Sequence, residues 1–73
     1  MKINGLNYYL IYVKSPLYED FSFFVTTSYE NLTDEDIIDM CIENGLFDKK
    51  IECAEVSYQY DEDDLKVLPI FNI

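Results

Sequence analysis

Any chemistry in this chain has to come from carboxylates and two thiols. Its 73 residues include fifteen Asp and Glu, five Lys, no Arg and no His. The acids are clustered. Asp34, Glu35 and Asp36 stand together, Asp39 and Glu43 follow at helical spacing, and Asp61, Glu62, Asp63 and Asp64 are consecutive. Paired carboxylates can act as general acid and base, but so short a chain builds too small a scaffold for a substrate pocket. Without His there is no base poised near neutral pH and no Ser-His or Cys-His nucleophile. Gly5 and Gly45 are the only glycines, so a Gly-rich phosphate loop is absent from the sequence. The run from Asp61 invites a calcium reading. Set on an EF-hand loop, it puts Lys66 where Gly is required and Asn72 where the bidentate Glu belongs. The expectation is a protein that is not an enzyme and uses neither metal nor cofactor.

Cys41 and Cys53 are too few for a secreted disulfide scaffold. With no His they cannot complete a zinc tetrahedron. They are expected to be two buried free thiols in a reducing cytoplasm. No apolar stretch reaches the ~20 residues of a membrane span. Met1 to Gly5 opens without the charged and apolar regions of a secretory leader. Asn31-Leu32-Thr33 spells a glycosylation acceptor, read here as chance because no secretion signal accompanies it.

The elements that would position these groups follow from hydrophobic period. Hydrophobic residues make up 49% of the chain and aromatics 16%, too much for disorder. Leu6 to Val13 is β-branched and aromatic on both parities, Leu6, Tyr8, Leu10 and Tyr12 against Tyr9, Ile11 and Val13. That is the mark of a central strand. Pro16 ends it, and Phe21 to Thr27 alternates as a second strand, expected to form a hairpin with the first.

Thr33 is a good N-cap, with Asp36 placed to complete a capping box and Leu32 and Ile37 a hydrophobic staple. Ile37, Ile38, Cys41 and Ile42 make an apolar stripe, and Asn44-Gly45 stops the helix, which is expected over residues 34–44. Ile51 to Tyr60 reads as a third strand, half-buried through Ala54, Val56, Tyr58 and Tyr60, with a bulge or a late start where Ile51 and Cys53 fall on the polar parity. Asp61 to Asp64 reads as a turn and Leu65 to Phe71 as a last strand, which Pro69 holds to an edge or ends early. Residues 1–73 are thus expected to form a single α+β domain, β-β-α-β-β, one helix packed on an antiparallel or mixed sheet. With one helix, one sheet face is covered. The other face of the Tyr-rich strands is expected to be exposed and available as an interface.

The charge is unevenly spread. The formal net charge is -10, and residues 30–64 hold thirteen of the fifteen acids. Such a field repels nucleic acid and anionic membrane, which bind Lys and Arg clusters. It suits a basic protein surface instead. Asp36, Asp39 and Glu43 fall on one line of the helix, and a row of carboxylates there approximates a row of phosphates.

In size, acidity and want of catalytic groups the chain resembles small phage or mobile-element inhibitors of the anti-CRISPR and anti-restriction kind. The resemblance is one of type, over the whole chain. It implies a non-catalytic inhibitor in a bacterial host cytoplasm, whose partner is a basic nucleic-acid-binding protein or nuclease complex. Its contact set would be Asp34, Glu35, Asp36, Asp39, Glu43 and Asp61 to Asp64. The competing reading is an interaction module, antitoxin-like or a regulatory subunit, using an aromatic face or edge-strand pairing, with a homodimer left open.

Overall fold

The computed structural model describes residues 2–48 and 50–73. It confirms the α+β class and adds elements that the alternation did not announce. A short strand β1 (Lys2–Ile3) precedes β2 (Leu6–Lys14). Between them Asn4 and Gly5 both have positive φ, 52° and 80°, the pair required by a two-residue hairpin turn. β2 pairs antiparallel with β3 (Phe21–Thr27) from Asn7–Thr27 to Val13–Phe21, the expected hairpin. On its other edge β2 holds β1 at one end and β4 (Cys53–Ser57) at the other, so it is central. A last strand, β5 (Ile70–Asn72), runs parallel to β3 and forms the opposite edge.

The main helix α1 (Asp34–Glu43) is bounded as its local sequence dictates. Thr33 Oγ1 accepts the Asp36 N–H at 3.1 Å, and Asp36 Oδ2 accepts the Thr33 N–H at 3.0 Å, a reciprocal capping box. At the other end Gly45 has φ 72°. Its N–H donates to the Ile42 carbonyl at 3.0 Å, and the Leu46 N–H donates to the Cys41 carbonyl at 3.0 Å. These are the two bonds of a Schellman stop.

α1 covers one sheet face. Ile37, Cys41 and Phe47 close over Ile11, Val13, Phe23 and Val25, with Tyr9, Ile38, Ile42, Ala54 and Val56 packed around them. Ile38 is half-buried rather than central to the stripe.

The other face is covered in part, more than expected, although Tyr12 on it stays 45% exposed. Leu10 and Phe24, which project there, are 1% and 0% exposed. The cover is the chain between β4 and β5. The Tyr60 ring stands edge-on to Phe24 at 4.8 Å, and its hydroxyl donates to the Tyr8 carbonyl at 3.0 Å. The reason is topological. β3, β4 and β5 all run parallel, so β3 to β4 and β4 to β5 are both crossover connections. The first steps back across β2 and the second steps forward across β2 and β3. Two crossovers of one hand that run in opposite directions must lie on opposite faces.

That second crossover corrects the expected last strand. Leu65 to Val67 do not extend; with Asp64 they form a short helix, α2 (Asp64–Val67). The turn from Asp61 keeps winding, with N–H groups of Asp64, Leu65 and Lys66 donating to carbonyls of Asp61, Glu62 and Asp63 at 3.0–3.1 Å. Pro69 then forces Leu68 to extend, at φ -96° and ψ 149°. The third strand is likewise shorter than Ile51 to Tyr60. Ile51 and Glu52 are folded into a turn by N–H bonds to the Asp48 carbonyl at 3.1 and 2.8 Å. Beyond Ser57 the chain leaves the ladder, as the Ser57 hydroxyl donates to the Gln59 carbonyl at 3.0 Å.

Candidate functional site

The nine carboxylates expected to act together are divided by the fold into three surfaces. α1 lies on one face of the sheet, and the stretch Asp61–Asp64 belongs to the crossover on the other. Within α1 the acids divide again. Asp34 and Glu35 flank the β4 side of the helix, where Ile38, Ala54, Glu55 and Val56 complete an open depression. Asp36, Asp39 and Glu43 border a separate open groove of about 520 Å³ with Tyr29, Leu32 and Met40. The expected helical row is therefore a single surface, and it has an apolar floor.

That groove is built from two segments. α1 supplies Met40 and the three acids. Its other wall, Tyr29 and Leu32, comes from the loop after β3. Tyr29 is 64% exposed, yet its backbone is fastened on both sides. Its N–H donates to Thr27 Oγ1 at 3.2 Å, and its carbonyl accepts from Asn7 Nδ2 at 3.2 Å. Asn31, at φ 59°, then turns the chain toward the cap. Asp39 and Glu43 are exposed, and i,i+4 side chains on a helix stand about 5–6 Å apart. Asp36 is also exposed, but its carboxylate is committed to the capping box.

Asp34 is committed as well. It accepts a hydrogen bond from the Tyr58 hydroxyl, which ties the first turn of α1 to the end of β4. The Tyr58 ring also meets Tyr9 edge-on at 5.7 Å. The bond to Asp34, then burial and the Asp34 charge, push the Tyr58 phenol up to about 12 from 10.0. Burial, and then Tyr8 and Tyr9, raise the Tyr60 phenol.

On the opposite face Asp61 and Asp64 line a third open depression with Tyr12, Tyr58, Gln59 and Tyr60. Glu62 and Asp63 are exposed, and Asp63 stands 3.8 Å from the Lys66 ammonium. An exposed pair of this kind contributes little to stability.

The thiols divide. Cys41 is fully buried beneath α1, and burial pushes its thiol up to about 11. Cys53, expected to be buried, is exposed because β4 is an edge strand whose Cys53 pairs with exposed Lys14. Among the described residues, no group of three or more His, Cys, Asp or Glu is placed to hold a metal ion. No helix among them is long and apolar enough to cross a membrane.

Sequence reasoning did not include Tyr29, Leu32, Met40 or Glu55 in the site. Tyr29 carried one signal, an aromatic in a polar loop four residues before an N-cap. Met40 could have been found by its place between Asp39 and Glu43 on the helix. Comparison with known protein families, with curated proteins and with solved structures yields no match.

Proposed function

We propose that the protein is a small non-catalytic inhibitor that acts in the bacterial cytoplasm. It docks α1 against the basic nucleic-acid-binding surface of a CRISPR effector or restriction nuclease and excludes the nucleic acid. The observation that carries this reading is the exposed row Asp36, Asp39 and Glu43 on one rigid, doubly capped helix. The row spans about 10.5 Å of helix axis, a length over which one DNA strand carries about three phosphates. Preorganised charge of this kind raises association rates and selects basic partners. The net charge of -10 supplies the field, and the sequence offers no Arg to oppose it.

Competition with duplex DNA for purified effectors and nucleases tests this. Asp39→Lys with Glu43→Lys should abolish competition. Glu62→Lys with Asp63→Lys, an equal change in net charge on the other face, should leave most of it. A target that keeps its DNA in excess wild-type protein would refute the reading.

A second reading rests on the β5 edge. There Ile70, Phe71 and Phe21 are 45%, 40% and 38% exposed, and Phe23 links Phe21 and Phe71 through ring contacts at 6.1 and 5.6 Å. An aromatic ladder at a sheet edge suits an interaction module that holds its partner by apolar contact. Loss of binding in Phe71→Ala, with the α1 acids indifferent, would favour it.

A further inference from the structure

We infer that the groove between the Tyr29 loop and α1 takes an arginine of the partner protein together with an apolar side chain beside it. The inference rests on the proposed docking of α1 and names what that helix recognises. A surface that only mimicked phosphate would need charge alone. This one has charge at its border and apolar side chains at its base.

Each part of the groove selects a feature of the guest. Asp39 and Glu43 are exposed i,i+4 neighbours, two carboxylates within reach of one planar guanidinium fork. Asp36 cannot join them on equal terms, because its carboxylate accepts the Thr33 N–H at 3.0 Å. Tyr29 presents an exposed aromatic ring from a backbone held at both its N–H and its carbonyl. Guanidinium stacks on such a face more readily than the compact, strongly hydrated ammonium of Lys. Met40 and Leu32, each half-buried, offer the apolar base, and a methionine adapts to the shape of what enters. Charge complementarity decides the class of guest. The acids repel phosphates and free carboxylates, so the occupant is a basic segment of protein.

Three synthetic helical peptides of equal charge test this against the intact protein. The first carries Leu and Arg one turn apart, the second has Lys for each Arg, and the third has Ser for Leu. The Arg-Leu peptide should bind about tenfold more tightly than either of the others. It should shift the NMR signals of Tyr29, Leu32 and Met40. Tyr29→Ala, with an unchanged melting temperature, should reduce the first peptide to the level of the Lys peptide. Equal binding of all three, binding of none, or shifts centred on Phe71 would overturn the inference. The occlusion reading is judged apart from this, by DNA competition on the target. It survives if all three peptides bind equally and competition is still lost with Asp39→Lys and Glu43→Lys.

Discussion

Asp36 and Thr33 exchange two hydrogen bonds, at 3.0 and 3.1 Å, and Asp36 also stands at the border of the groove beside α1. One residue therefore serves both the helix start and the candidate surface. Asp36→Lys should cost about 1 kcal/mol, the usual cost of a lost cap. Asp39→Lys and Glu43→Lys, on the solvated part of the row, should leave stability within about 0.5 kcal/mol of wild type. Urea denaturation of the three variants checks this. Equal costs would mean that the box contributes nothing. Reversing the whole row would confound folding with binding, so Asp39 and Glu43 are the residues to change.

The sheet is apolar on both faces, and both should resist truncation. Ile37 is 1% exposed beneath α1 and Phe24 is 0% exposed beneath the second crossover. Ile37→Ala should cost about 2–5 kcal/mol and Phe24→Ala about 3–5 kcal/mol. Ile38→Ala should cost clearly less than Ile37→Ala, since Ile38 is half-buried beside Ala54 and Val56. A mild effect of Phe24→Ala would show that the Tyr60 crossover does not cover the second face in solution.

The two cysteines should differ in reactivity. Cys53 is exposed on the edge strand, while Cys41 is fully buried and its thiol is pushed up to about 11. The thiolate is the form that reacts. Alkylation of native protein, followed by mass spectrometry, should modify Cys53 alone, and Cys41 should react only after unfolding. Equal labelling in the native state would contradict the packing of α1.

The Tyr58–Asp34 bond should appear in the alkaline range. The Tyr58 phenol is pushed up to about 12 from 10.0, first by the bond to Asp34. Between these values the unfolded chain releases a proton that the folded chain keeps. The bond thus supports folding below the ordinary value of 10.0, and that support fades as pH rises toward about 12. Asp34→Asn should let the phenol ionise nearer its ordinary value, as followed by tyrosinate absorbance with Tyr58→Phe as reference. An identical titration in Asp34→Asn would discount the bond.

The sequence by itself determined the pieces whose causes are local. Thr33 and Asp36 lie three residues apart and Gly45 sits one step past Asn44, so both ends of α1 were legible within a single turn. Alternation marked β3, and the β-branched and aromatic run apolar on both parities marked β2 and placed it at the centre. The Asn4-Gly5 pair carries the same kind of local signal for the first hairpin.

Only the tertiary structure decided which carboxylates share a surface. Fifteen acids look alike along the chain, and their grouping depends on the face over which each crossover passes. The direction of the β4-to-β5 connection sent Asp61–Asp64 away from α1 and laid Tyr60 on Phe24. The same path turned the first half of the expected strand Leu65–Phe71 into α2 and its extended exit, because Pro69 ends one conformation without specifying the one before it. The end of β3 at Thr27 was legible, but the bond from Asn7 of β2 that fixes the Tyr29 backbone beside α1 is a long-range contact. Cys53 is exposed for a similar reason, since β4 has a neighbour on one side only.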